Sequence, residues 1–180
     1  MLRLFYFAIF LLNLSKGEAF NHQFSLTAPV QFIDYQINKR TMGMEFHYQI
    51  LIKENFAPGL QIGYHSGINS KQDVVPLYNI FIIKPTLSYY FRSNFNRFFF
   101  ELGIGYAIIK EAKTILPINI YIPFTDQFHY SIGLGYNIPI KRTRIGFKSE
   151  IGGYSKLNNT APTALFIKGV LMISYCIIKK

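Results

Sequence analysis

Residues 97–110 read RFFFELGIGYAIIK and residues 127–140 read QFHYSIGLGYNIPI. In both stretches every second side chain is large and apolar, while the positions between them hold mostly glycine, small polar residues and isolated charges. Successive side chains of a β-strand point to opposite faces, so each stretch predicts a strand with one bulky apolar face and one small polar face. A closed barrel in lipid requires this arrangement, with apolar residues outside and small polar residues inside.

The same period of two residues recurs along the chain in eight segments, which are long enough to cross a bilayer when tilted. The segments are residues 30–37, 42–53, 60–69, 79–92, 97–110, 127–140, 145–156 and 164–177. The predicted fold class is therefore all-β, an eight-stranded antiparallel up-and-down transmembrane β-barrel.

The connections between these segments alternate in length. Those after the second, fourth and sixth segments are short, whereas residues 70–78 and 111–126 form long loops. Outer-membrane barrels have tight periplasmic turns and longer extracellular loops, so we expect the amino terminus in the periplasm. Loops on a rigid scaffold usually carry recognition, so residues 70–78 and 111–126 are the predicted sites for an extracellular ligand. The second loop is apolar, and we expect it to extend the strands above the membrane.

Residues 1–19 predict a cleaved secretory signal. Arg3 supplies a basic residue, residues 4–12 are uninterruptedly apolar, and Gly17-Glu18-Ala19 has the small-x-small pattern of a signal peptidase site. The apolar run is well short of the roughly 20 residues that span a bilayer as a helix. We therefore expect a signal peptide over residues 1–19 and one barrel domain over residues 20–180 in the bacterial outer membrane.

The chain carries 19 Lys and Arg residues against 9 Asp and Glu residues. A basic balance is typical of nucleic-acid binding, but here the basic residues concentrate at predicted strand ends and turns. They are Arg92, Arg97, Lys141, Arg142, Arg144, Lys179 and Lys180. Attraction to anionic headgroups explains this placement better, so the expected partners are outer-membrane lipid and lipopolysaccharide, and not nucleic acid.

Several charges fall on the face predicted to line the lumen. An eight-stranded barrel has an interior just wide enough to be filled by side chains, and buried charges must pair there. We therefore predict an ionic network in the lumen rather than a wide pore. Its predicted members are Asp34, Glu45, Lys84, Arg97, Glu101, Lys148, Glu150, Lys156 and Lys168. The same alternation places His47, His65 and His129 in the lumen as polar residues.

The phrase Phe100-Glu101-Leu102-Gly103-Ile104-Gly105, with the predicted signal and eight segments, resembles the small bacterial outer-membrane barrels. This superfamily includes the OmpA and OmpX transmembrane domains. The resemblance implies insertion by the barrel-assembly machinery and a structural or surface-interaction role without catalysis.

The lipid A 3-O-deacylase family also resembles this chain, in size and in the Glu-x-Gly-x-Gly phrase, and it implies an alternative function as a lipid A-modifying enzyme. That family uses a His-x-Ser-Asn motif, whose spacing puts imidazole and hydroxyl on one strand face. His129-Tyr130-Ser131 has the spacing, but Ile132 follows it and both side chains point into the predicted lumen. In the seventh segment, where the resemblance implies that the motif would lie, the chain reads Gly153-Tyr154-Ser155-Lys156, with no His. We therefore assign no catalytic residue.

The sequence predicts no metal or cofactor site. It has no Cys or His cluster with ligand spacing, and its Gly-x-Gly pairs lie within strands rather than opening a helix. A second alternative is a soluble exported lipocalin-like barrel that binds a ligand. Its outer face would be dense with Lys and Glu, whereas the non-apolar face here consists mainly of Gly, Ser, Asn and Gln.

Overall fold

The structure, a computed structural model, describes residues 21–33, 40–52, 55–67, 77–91, 97–115, 118–121, 125–156 and 164–177. The regular elements of this part of the chain are nine β-strands. They are β1 (Asn21–Ile33), β2 (Arg40–Leu51), β3 (Phe56–Gly67), β4 (Leu77–Tyr90), β5 (Arg97–Ile115), β6 (Ile118–Tyr121), β7 (Thr125–Ile140), β8 (Thr143–Lys156) and β9 (Ala164–Ile177). Among these residues there is no helix with the length and apolarity needed to cross a membrane.

Eight of the nine strands close into one antiparallel barrel, which confirms the predicted fold. Each barrel strand pairs with the next barrel strand in the chain, so that β5 pairs with β7, and β1 pairs with β9 to complete the ring. The short strand β6 pairs with the last four residues of β5, beyond the point where β5 pairs with β7. We call the end of the barrel where β1 begins and β9 ends the turn end, and the opposite end the loop end.

The first strand differs most from the prediction. β1 runs from Asn21 to Ile33 rather than over residues 30–37, so it begins nine residues earlier than expected. Pro29 lies inside it without a backbone N–H, and the ladder to β2 skips Ala28 and Pro29. A proline within a run argues against a strand, so the predicted segment begins only after Pro29, although Phe24 and Leu26 already alternate with Ser25 and Thr27. Asp34, which we predicted in the lumen, lies outside the described residues.

The outer surface of the barrel is apolar. Large hydrophobic side chains are exposed on all eight barrel strands, with Leu171 69% and Phe98 62% exposed. Such a surface fits lipid rather than water, and it is the reverse of the surface expected for a soluble lipocalin-like barrel. Ile50 is an exception among the large apolar side chains of β2, because it is buried with Tyr48 and Ile52 packed against it.

Aromatic rings gather on the outer face at the turn end. Tyr89 lies 5.1 Å from Phe56 and 5.6 Å from Phe91 between ring centroids, and Phe98 lies 4.8 Å from Tyr136. Rings of this kind sit where the hydrocarbon of a bilayer meets its headgroups. The cluster therefore marks one membrane boundary of the barrel.

The predicted contact loops are described only in part. The loop over residues 111–126 continues β5 to Ile115 and returns as β6, as expected from its apolar sequence. Residues 77 and 78 of the other loop belong to β4, and residues 70–76 lie outside the described residues.

Candidate functional site

Six charged side chains meet in the lumen, contributed by β2, β4, β5, β8 and β9. None of them is more than 4% exposed. They are Glu45, Lys84, Glu101, Lys148, Glu150 and Lys168. This confirms the predicted ionic network for these six residues. The network consists of three carboxylates and three ammonium groups. The side chains of Arg97 and Lys156, also predicted inside, lie outside the described part.

Glu150 is the centre of the network. Its Oε1 atom accepts a hydrogen bond from Lys84 Nζ and lies 3.1 Å from Lys168 Nζ. Its Oε2 atom lies 3.0 Å from Lys148 Nζ. Three ammonium groups on three different strands therefore converge on one carboxylate.

The other two carboxylates share these lysines. Lys148 Nζ also donates to Glu101 Oε1 at 2.6 Å, and Lys168 Nζ donates to Glu45 Oε1 at 2.8 Å. His65 Nε2 lies 2.9 Å from the same Glu45 oxygen. Each lysine or glutamate thus has at least one partner of opposite charge, as burial away from water requires.

Apolar layers lie in the lumen on both sides of the network. At the turn end the buried cluster is Leu51, Ala57, Tyr90, Phe99 and Met172. At the loop end it is Ile33, Ile80, Ile82, Ala107, Ile109, Tyr154 and Phe166. These layers shield the charges from water, so the interaction of each ion pair is stronger than it would be at a surface.

Arg144 corrects one prediction about surface charge. We expected it beside lipid headgroups, but it is buried, and its Nη1 atom donates to Gln23 Oε1 at 2.8 Å. The physical reason is the period of two in β8, which begins at Thr143 and turns Arg144 to the same face as Lys148. Lys141 and Arg142, in the turn before β8, are exposed.

His129 and Ser131 both point into the lumen, as predicted, and they do not form a base–nucleophile pair. The His129 ring stacks on Tyr154 at 5.0 Å and on Phe166 at 5.3 Å. Neither of its ring nitrogens has a hydrogen-bond partner among the described residues. Ser131 Oγ accepts a hydrogen bond from Lys84 Nζ at 2.9 Å. The pair is therefore part of the packing of the barrel.

Replacing this ring with a hydrocarbon ring tests that interpretation. We expect His129→Phe to raise the free energy of unfolding by about 1 kcal/mol, because it removes buried nitrogens that make no hydrogen bond. His65→Phe is the matched control and should lower the free energy of unfolding by about 2 kcal/mol, because His65 is bonded to Glu45. Urea unfolding in detergent micelles measures both, and a loss of stability in His129→Phe would contradict the packing role.

The other histidines are hydrogen-bonded to groups other than serine. His47 Nε2 lies 2.8 Å from Thr86 Oγ1, and His65 contacts Glu45. His22 is on the outer face near the turn end, where its Nδ1 lies 2.8 Å from the Tyr48 hydroxyl. The chain has four histidines, and none of them is hydrogen-bonded to a serine of the described residues.

β8 is the seventh strand of the barrel, where the deacylase alternative would place its catalytic motif. Tyr154 points inward and exchanges hydrogen bonds with Gln31 at 2.9 and 3.2 Å. Gly153 and Ser155 flank it on the outward register of the strand, where Gly153 pairs with Tyr130 and Ser155 pairs with Phe128. A serine hydroxyl thus stands on the lipid-facing wall, and the position two residues before it is glycine.

The described residues contain no group of three or more His, Cys, Asp or Glu side chains that could hold a metal ion. Cys176 is buried with its thiol 3.7 Å from Gln23 Oε1. The candidate sites described above are the lumen network and the outer face of β8.

A model of the family described as lipid A 3-O-deacylase (PagL) matches residues 40–150, more than half of the chain. The matched range ends before Gly153. No curated protein matches the sequence of this chain.

Several solved structures have the same fold. Ail, the attachment invasion locus protein of Yersinia pestis, superposes with a TM-score of 0.64 at 11% identity, covering 89% of this chain and 100% of Ail. The outer membrane enzyme PagL gives 0.59 at 15% identity, covering 84% and 98% of the two chains. The N-terminal β-barrel domain of Pseudomonas aeruginosa OprF gives 0.57 at 12%, covering 86% and 97%. These likenesses show a small outer-membrane β-barrel fold.

Proposed function

The chain belongs to the lipid A 3-O-deacylase (PagL) family, and we propose that it is an outer-membrane barrel protein that has lost the hydrolytic activity of this family. We propose further that it acts in surface interaction. The recognition elements are the loops at the loop end, residues 70–78 and 111–126. Loops on a rigid scaffold usually carry recognition.

The observation that carries this proposal is Gly153. The His-x-Ser-Asn motif of the family needs an imidazole two residues before the serine, because the base must reach the hydroxyl from the same strand face. Ser155 stands on the outer face of β8, but Gly153 supplies no side chain, and Lys156 follows where the motif has Asn. Serine without a neighbouring base is a weak nucleophile.

The orientation and targeting are part of the same proposal. The connections from β2 to β3, from β4 to β5 and from β7 to β8, all at the turn end, are short in sequence, which supports a periplasmic position for that end. The loop end then faces the cell exterior. Residues 1–19 serve as the export signal, and the barrel-assembly machinery inserts the chain. Ail, an attachment protein by its name, has the same fold and fits a role at the cell surface.

Mass spectrometry of lipid A tests the proposal. The chain is produced in cells whose lipid A is fully acylated, beside a Ser155→Ala variant and cells without the protein. We expect identical lipid A in all three, because Ser155 lacks a base. The observation that favours the deacylase alternative is the outward position of Ser155. Loss of the 3-O-linked acyl chain in cells with the unaltered protein, but not in cells with the Ser155→Ala variant, would establish that alternative.

A further inference from the structure

A small cavity lies in the lumen between the ionic network and the apolar cluster at the turn end. Glu101 and Lys148 of the network line one side of it, and Tyr90, Phe99 and Met172 of the apolar cluster line the other. It offers about 10 Å³ to the centre of a water molecule, which is room for about one water. An acidic and a basic side chain both line the cavity, so a small neutral occupant fits better than an ion of either sign.

The amide of Gln61 lines this cavity without a partner. Gln61 is 1% exposed, and neither its Oε1 nor its Nε2 atom makes a hydrogen bond within the described part of the chain. The two other glutamines of the cavity wall are bonded. Gln49 Nε2 donates to Ser88 Oγ at 2.7 Å, and Gln23 Nε2 donates to Ser25 Oγ at 3.3 Å. Buried polar groups in native proteins nearly always have a partner, so the Gln61 amide points to a ligand in the cavity.

His47 and Glu101, which also line the cavity, are separated by a gap that suits a bridging water. His47 Nδ1 lies 3.8 Å from Glu101 Oε2, which is too long for a direct hydrogen bond. Polar groups at such distances are commonly joined through a water molecule. Glu101 Oε2 accepts one hydrogen bond, from Ser88 Oγ at 3.0 Å, and a carboxylate oxygen has the capacity to accept a second.

We propose that this cavity is a binding site for one water molecule, which bridges Gln61, His47 and Glu101. The water donates to Glu101 Oε2 and to Gln61 Oε1, and it accepts from the Nδ1–H group of His47. It thereby makes the three hydrogen bonds that are typical of a buried water. His47 is then held in the Nδ1–H tautomer, in which its Nε2 atom accepts from the Thr86 hydroxyl at 2.8 Å. The bridge extends the ionic network toward the turn end.

Magnetisation transfer from water to side-chain N–H protons tests the site. Full-length ¹⁵N-labelled protein is folded in deuterated detergent micelles, and rotating-frame Overhauser cross peaks to the water resonance are recorded. We expect cross peaks at the Gln61 amide and at the Nδ1 proton of His47. Gln31 is the matched control, because its amide is also fully buried in the lumen but donates to Tyr154 Oη at 2.9 Å. It should show no cross peak to water.

A pair of variants tests the part that Gln61 plays. Gln61→Met keeps the length of the side chain and removes the amide, so we expect the water cross peak of His47 to fall about tenfold, since the water loses one of its three partners. Gln31→Met makes the same change in the other half of the lumen and should leave the His47 cross peak unchanged. Folding of both variants is checked by heat-modifiable mobility.

The unaltered protein alone can overturn the site, whatever the folding of the variants. Absence of a water cross peak at either Gln61 or His47 would show that no water bridges them. A cross peak of equal strength at Gln31 would also overturn the site, because the lumen would then be hydrated throughout. An unchanged His47 cross peak in the folded Gln61→Met variant would remove Gln61 from the bridge and contradict the proposal as stated.

Discussion

Glu150→Gln is expected to lower the free energy of unfolding of the barrel by about 3–5 kcal/mol, the usual effect of removing one partner from a buried ion-pair network. The substitution keeps the shape of the side chain and removes the charge on which Lys84, Lys148 and Lys168 converge. Three buried ammonium groups would then face two carboxylates. The uncompensated charge would lie between the two apolar layers, where water cannot screen it.

A double variant distinguishes charge imbalance from a simple loss of contacts. Glu150→Gln with Lys84→Met leaves two carboxylates and two ammonium groups in the network, so it should be more stable than Glu150→Gln alone. Ser149→Ala, at the neighbouring exposed position of β8, should leave stability unchanged. Urea unfolding in detergent micelles provides all three values. A double variant less stable than Glu150→Gln would contradict the charge argument.

We expect most molecules of the Gly105→Ala variant to fail to assemble into a folded barrel. A Cβ atom at this position would lie 2.3 Å from the Ile83 carbonyl oxygen and 2.5 Å from Lys84 Cα, both backbone atoms of β4. The backbone of β4 cannot move aside without breaking its ladder to β5, so we expect a loss of about 3 kcal/mol or more. Val at the same position should be worse still.

Gly169→Ala is the matched control for this effect. Its added Cβ would meet no atom within 4 Å, so the same chemical change should leave the yield of folded protein unchanged. Heat-modifiable mobility after refolding measures the folded fraction of both variants. If both glycines tolerate alanine equally, the close approach of β4 and β5 at Gly105 does not limit folding.

The alternation of residues predicted the barrel because lipid outside and a crowded lumen inside impose opposite demands on neighbouring side chains. It placed Glu101 inside and required a cationic partner, which is Lys148. The alternation could not predict which lysine pairs with which glutamate, because the pairing depends on how far each strand is staggered against the next. Glu45 and Lys168, which are bonded, are separated by 123 positions in the chain.

Other features escaped prediction for identifiable physical reasons. The apolar layers of the lumen contain Ile80, Ile82 and Phe166, and strands that are apolar on both faces lose the period of two. The start of β1 was predicted nine residues too late because Pro29 argues against a strand in the sequence, although the ladder to β9 continues through it. The inward orientation of His129 and Ser131 was predicted correctly, since it depends only on position within one strand.

The ionic network of the lumen also constrains how the barrel enters the membrane. Lys168 lies on β9, the last strand, and it pairs with Glu45 on β2 and Glu150 on β8. Before β9 joins the sheet, β1–β8 contain all three carboxylates of the network but only two of its three lysines. An unpaired charge is costly in hydrocarbon, so such an open intermediate is disfavoured within the bilayer. Closure of the ring and electrical neutrality are therefore reached in the same step.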